Sequence, residues 1–219
     1  MEILFLGNSY THVNDLPGML EELAAAGGRP LRQEAITPGG MTLDGHAANR
    51  GTVSKIASRR WSYVVLQEQS QLPIVEPEAF FQPARVLDAA VRAAGARTLL
   101  YLTWPRRNAP ENQAKLTNAY GQLARELSAG VAPVGPAWAA ALEERPGLAL
   151  YDSDGSHPSP QGTYLAALVF FAKIFHRSPE GLPARVEHGG RMLVDLSGDP
   201  ALAGALQRIA WRTVQGVNP

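Results

Sequence analysis

The sequence predicts an α/β fold: a three-layer α/β/α sandwich around a central, mostly parallel, five-stranded sheet. Three observations point there. Short apolar runs alternate with longer segments of helical period, and a β-α-β-α order is satisfied by a parallel sheet covered on both faces. The 21 glycines and 17 prolines fall mostly at the ends of these segments, where they punctuate. Finally, 219 residues with 45% apolar content and no linker, repeat or low-complexity tract suit one domain with a sizeable core.

The elements follow in order. Ile3–Leu6 reads as the first strand. Leu16–Ala26 is a helix with Leu16, Met19, Leu20 and Leu23 on one face, stopped by Gly27-Gly28. Leu31–Ile36 is a second strand. Thr42–Ser58 is mixed and helical in part. The β-branched run Tyr63–Leu66 is the expected central strand. Glu78–Ala94 is a helix ending at Gly95, Thr98–Leu102 a strand, and Ala109–Ala129 a helix ending at Gly130. Val131–Val134 is the fifth strand and Ala137–Glu144 a short helix. After the loop Tyr151–Pro158, a helix runs over Pro160–Phe175, with Ser159 as N-cap and Pro160 at its first position. Leu182–Leu196 has room for a small strand pair, and Asp199-Pro200 opens a last helix running to about Gln215.

Composition narrows the function. Twenty basic residues balance twenty acidic ones, which gives no electrostatic reason to expect nucleic acid or an anionic membrane as partner. The absence of cysteine removes disulfides, thiolate metal sites and a cysteine nucleophile. Glu2 stands where a secretory signal would carry basic residues, and the apolar run after it is short. No stretch reaches the ~20 apolar residues of a membrane span. A cytoplasmic location is the expectation.

In open parallel sheets, ligands bind at the carboxyl ends of the strands. The segments on that rim are Gly7–Thr11, Thr37–Thr42, Gln67–Gln71 and Thr103–Arg107, joined by Asp152–Pro158 before a helix. Ser9 lies just past a strand, after Gly7, which lets the backbone turn sharply. A serine needs a base, and a base needs an orienting acid. Asp154-Gly155-Ser156-His157-Pro158 supplies both: Pro158 keeps His157 out of helical geometry, and an acid three residues earlier can curl back to the imidazole. Asp152 is the rival acid. Gly39-Gly40 can bring a backbone N–H close to a ligand, and Gln67 or Gln69 can offer an amide to a developing oxyanion. Tyr10 and Trp104 could each line an acyl or sugar pocket, with rim packing the plainer reading for Trp104. Trp61, Trp138 and Trp211 read as packing residues, and Arg106-Arg107 as a solvated pair rather than an anion site. Taken singly, each of these motifs is as easily a turn or a cap.

Together they resemble the four blocks of the SGNH hydrolases, the GDSL-type esterase and lipase superfamily. Gly7-Asn8-Ser9 stands for the first block, Gly-Asp-Ser. Gly40, or its neighbour Gly39, stands for the second. Gln67-Glu68-Gln69-Ser70 occupies the place of the third, Gly-x-Asn-Asp, and Asp154 with His157 meets the last, Asp-x-x-His. The departures in the first and third blocks are similar to a less characterised branch of the superfamily. The resemblance implies one flavodoxin-like, SGNH hydrolase-like domain over residues 1–219. It implies Ser9 as nucleophile, His157 as general base and then acid, and Asp154 as its orienting partner. It also implies an oxyanion hole from Ser9, Gly40 and the amide of Gln69, with Gln67 as the alternative donor. Substrate contacts would come from Tyr10, Gln67 and Trp104. No cofactor or metal is implied. The expected substrate is a small-molecule or carbohydrate ester with a short acyl group, O-acetyl on a sugar among the candidates, and activity should rise as His157 loses its proton. Two other readings fit the same residues: a metal-dependent phosphoesterase recruiting His12, Asp44, His46, Asp154 and His157, and a binding module that keeps the fold without the chemistry.

Overall fold

β1 (Glu2–Leu6) pairs in parallel with β2 (Arg32–Ile36) on one side and with β3 (Tyr63–Leu66) on the other. β4 (Arg97–Leu102) and β5 (Gly130–Pro133) extend the sheet in the same sense, giving the order β2-β1-β3-β4-β5 in this computed structural model, which describes residues 1–216. The expected sheet is therefore found, with every strand parallel and β3 at its centre.

Successive strand residues point to opposite faces, and the sequence fills both. Ile3, Phe5, Val65 and Tyr101 face one layer; Leu4, Leu6, Val64, Leu66 and Leu100 face the other. The first layer holds α2 (Leu16–Ala26), α8 (Val134–Glu144), α9 (Pro160–Phe175) and α10 (Pro200–Gly216). α9 is apolar all round, which suits its place: residues Gly162–Ala172 are all buried, with the Phe170 ring edge-on to Phe5 at 5.7 Å and to Tyr101 at 4.9 Å. The second layer holds α3 (Leu43–Ala48), α4 (Arg50–Ala57), α6 (Pro77–Ala93) and α7 (Gln113–Leu127), packed through Leu43, Ile56, Phe80, Leu87 and Leu116. An antiparallel hairpin of β6 (Arg185–His188) and β7 (Arg191–Asp195) covers the first layer through Val186 and Leu193.

The differences from expectation are local. The mixed stretch Thr42–Ser58 splits into α3 and α4 at Asn49, whose backbone is extended and whose side chain accepts from Thr52 N. The helix expected from Ala109 starts as a 3₁₀ turn over Pro110–Asn112. Two single-turn helices, α1 (Ser9–His12) and α5 (Leu72–Val75), are too short to show a helical period in the sequence. Among the described residues, no helix is long and apolar enough to cross a membrane.

Candidate active site

β1 has β2 on one flank and β3 on the other, so the chain leaving β1 and the chain leaving β3 turn towards different layers. The crevice between them at the carboxyl edge is where this topology binds ligands. Ser9 sits there at the start of α1, half-buried. Its Oγ lies 2.9 Å from His157 Nε2, and His157 Nδ1 lies 2.5 Å from Asp154 Oδ2. Asp154 Oδ1 accepts from the backbone N–H of Ser156 and of His157, both at 2.9 Å. These bonds, that from the imidazole first, hold the Asp154 carboxyl down at about 2. Asp152 makes no such contact: its Oδ1 accepts from the backbone of Ser153.

The loop bearing the histidine is fixed from several sides. Tyr151 and Pro158 form an isolated bridge, and Asp152 N donates to the His157 carbonyl at 2.8 Å. Gly155 takes the left-handed backbone (φ 68°) that the turn demands. Arg107, expected to be solvated, instead ties this loop to the one after β4. Its backbone N donates to Gly155 O at 2.8 Å, its Nη2 to Asp152 O at 2.7 Å, and its guanidinium lies over the Tyr151 ring at 5.2 Å. Beneath His157 runs an aromatic column. Tyr10 stacks on Trp104 at 4.9 Å, and Trp104 on Trp138 at 3.7 Å; Tyr10 also meets the His157 ring edge-on at 5.5 Å. Trp104 is wholly buried and its Nε1 donates to Ser156 O, so it supports the His157 loop and does not line the pocket. This corrects the expectation of Trp104 as a substrate contact. Trp61 and Trp138 are buried packing residues.

Gln67 also departs from expectation. It is fully buried, and both ends of its amide are used: Oε1 accepts from Asn8 N and Thr11 Oγ1, while Nε2 donates to Asn8 Oδ1 and Glu68 O. It therefore has no free donor for an oxyanion and does not meet substrate. The same contacts explain two other residues. A Cβ on Gly7 would come within 2.6 Å of Gln67 Oε1 and of Thr11 Oγ1, so glycine is needed there for close approach rather than for a turn. Asn8, where the family pattern has aspartate, uses Nδ2 to donate to Met41 O at 2.8 Å while Oδ1 accepts from Tyr10 N. A carboxylate could not make the first bond. His46, buried on α3, adds a bond from Nε2 to the Gly7 carbonyl at 2.8 Å, and burial lowers its pKa.

Gln69 is placed differently. Its Oε1 accepts from Gln71 N at 2.8 Å and Leu72 N at 3.2 Å, which leaves the amide nitrogen without an acceptor among the described residues. Gln69 lines a cavity of about 260 Å³ together with Ser9, Tyr10, Gly40, Ser70 and His157. Gly40 has φ 71°. Neither its N–H nor that of Ser9 has an acceptor among the described residues. Glu68 joins the two loops behind this cavity. Its carboxyl is fully buried and accepts from Gln69 N at 2.6 Å and Leu43 N at 3.2 Å. Burial pushes it up to about 7 against the pull of those two bonds. Tyr10 is likewise raised by burial, and its hydroxyl lies 2.6 Å from Ser156 Oγ.

The sequence reading missed Ser70, Ser156 and the supporting roles of Asn8, His46 and Glu68. Ser156 was legible as the neighbour of His157, and His46 as a polar residue three positions after Leu43 in a partly helical stretch. Of His12, Asp44, His46, Asp154 and His157, only Asp154 and His157 meet. His46 is bound to Gly7 O, His12 Nδ1 is 2.6 Å from Thr37 O, and no group of three or more His, Cys, Asp or Glu fit to hold an ion forms among the described residues.

No protein-family profile matches the chain, and no curated protein does. Solved structures do. A proposed SGNH hydrolase from Slackia heliotrinireducens is 34% identical, with a TM-score of 0.69 and coverage of 80% of this chain and 98% of that one. The chain belongs to the SGNH hydrolases. As a member it is a hydrolase of ester bonds. A DUF4886 family protein from Bacteroides uniformis shares the hydrolase's fold at 20% identity, with a TM-score of 0.81 over 98% of this chain and 95% of that one. So does an acetyl xylan esterase at 13% identity, with a TM-score of 0.62 over 78% of this chain and 98% of that one.

Proposed function

We propose that this SGNH hydrolase is a serine esterase that cleaves carboxylic esters with short acyl groups, O-acetyl groups on carbohydrates among them, through an acyl-enzyme. The observation that carries the reading is the continuous chain Ser9 Oγ–His157–Asp154, with bonds of 2.9 and 2.5 Å. Ser9 Oγ attacks the carbonyl carbon while its proton passes to His157 Nε2, and Asp154 steadies the resulting imidazolium. The N–H groups of Ser9 and Gly40 and the amide of Gln69 receive the oxyanion. Collapse expels the alcohol with the proton from Nε2. Water then attacks the acyl carbon, gives a proton to His157, and Ser9 Oγ leaves with it.

A cavity of about 260 Å³ supports the short acyl group. The balanced charge supports partners other than nucleic acid or an anionic membrane, and the absence of cysteine fits the reducing cytoplasm. The test is a panel of p-nitrophenyl esters from acetate to long chains, with acetylated sugars alongside, on wild type and Ser9→Ala. The variant is expected to lose several orders of magnitude in turnover. Near-normal hydrolysis by it would overturn the mechanism, and a steep preference for long chains would overturn the short-acyl assignment. A fluorophosphonate should label Ser9; absence of labelling would favour a binding module without chemistry.

A further inference from the structure

Arg106 and Arg107 are neighbours on the loop after β4, yet they have opposite fates. Arg107 is consumed by its bonds to Gly155 and Asp152 and by the Tyr151 ring. Arg106 is exposed and lines the Ser9 cavity, with no carboxylate in ion-pair range among the described residues. Its backbone is held on both sides: Pro105 O accepts from Tyr151 OH at 2.9 Å, and Arg106 O accepts from Ala109 N at 3.0 Å. The guanidinium therefore starts from a fixed point on the wall.

Apart from His157, the other lining side chains are amides, hydroxyls and a phenol, with Ser70 and Ser156 among them. Asp154, the nearby acid, is outside the lining and already occupied by His157 and two backbone N–H groups. The cavity's one permanent side-chain charge is thus positive and without a counter-ion. A guanidinium at a cavity lined by hydroxyls binds a carboxylate through paired, charge-assisted hydrogen bonds, which water or a neutral ester cannot match. Within so small a cavity, the carboxylate and the reacting carbonyl must belong to one compact molecule.

From this we infer that the natural substrate is an anionic ester, carrying a carboxylate a few atoms from the scissile bond, and that Arg106 selects it. The inference rests on the esterase reading. It is tested with matched pairs: the p-nitrophenyl esters of succinate (as the hemiester) and butyrate for a charge on the acyl side, and 3-carboxyphenyl acetate against phenyl acetate for a charge on the alcohol side. The measured quantity is the ratio of kcat/KM, anionic over neutral. At low ionic strength one pair should show a ratio favouring the anion. Arg106→Gln should lower that ratio about tenfold, Arg106→Lys should restore part of it, and added salt should compress the wild-type ratio. A ratio unchanged by Arg106→Gln in both pairs would overturn the inference, as would a wild type that disfavours the anion in both. Failure of the esterase reading looks different: there, Ser9→Ala keeps hydrolysing the neutral esters.

Discussion

Gln69 carries two jobs on one side chain. Its oxygen holds the N–H groups of Gln71 and Leu72, which open α5, and its nitrogen is left for the cavity. Gln69→Glu separates them. A carboxylate accepts both backbone bonds as before, but it has no donor and sets a negative charge beside the developing oxyanion. On the proposed mechanism kcat should fall about 10²- to 10³-fold, while the thermal midpoint changes little. A kcat within a few-fold of wild type would remove Gln69 from the oxyanion hole. The choice between Gln69 and Gln67 could not be made from sequence, because it turns on which amide is already saturated. The Gln67 nitrogen is taken by Asn8 and Glu68 and its oxygen by Asn8 and Thr11, with Asn8 and Thr11 59 and 56 residues away. Asp154 and His157, three residues apart on a proline-braced loop, could be read as a pair because their relation is local.

The loops after β1, β2 and β3 act as one element, laced by Asn8 to Met41 and by Glu68 to Leu43 and Gln69. Glu68 gives that lacing a pH dependence. Its folded-state pKa of about 7 lies above its ordinary value of 4.5. Its contribution to stability is therefore fully present below pH 4.5 and is lost as pH rises through about 7, where the folded state must bury a charge that the unfolded chain keeps in water. The thermal midpoint of wild type should fall between pH 5.5 and 8 relative to that of Glu68→Gln, which cannot titrate. Parallel midpoint curves for the two proteins would refute this. Helices with a one-faced apolar repeat or a marked start were legible: α2, from its apolar face, and α9, from its Ser159 cap and Pro160, have the bounds read from sequence. The one-turn helices α1 and α5 were not, because they arise from loop hydrogen bonds and carry no apolar period.

At the scale of the whole molecule, two cores are clamped on one sheet, and α9 is the keystone of the first. Phe170→Ala would open a cavity between Phe5 and Tyr101 and should cost about 3–5 kcal/mol, measured by urea unfolding. A loss below about 1 kcal/mol would mean that the layer is not packed as described. The β-α-β alternation made the layered plan legible, whereas the burial of Trp104 was not, since it depends on Trp138 and Tyr10 converging on it from either side. One consequence lies in the order of the chain. All five strands of the sheet are complete by Pro133, but the imidazole that meets Ser9 comes 148 residues after it. The site is therefore a clasp between the two ends of the fold, shut only when α9 docks. On the proposed mechanism, a growing chain on the ribosome can lay down its entire sheet and still have no hydrolytic centre, and it stays chemically silent until the loop before α9 has been made and packed.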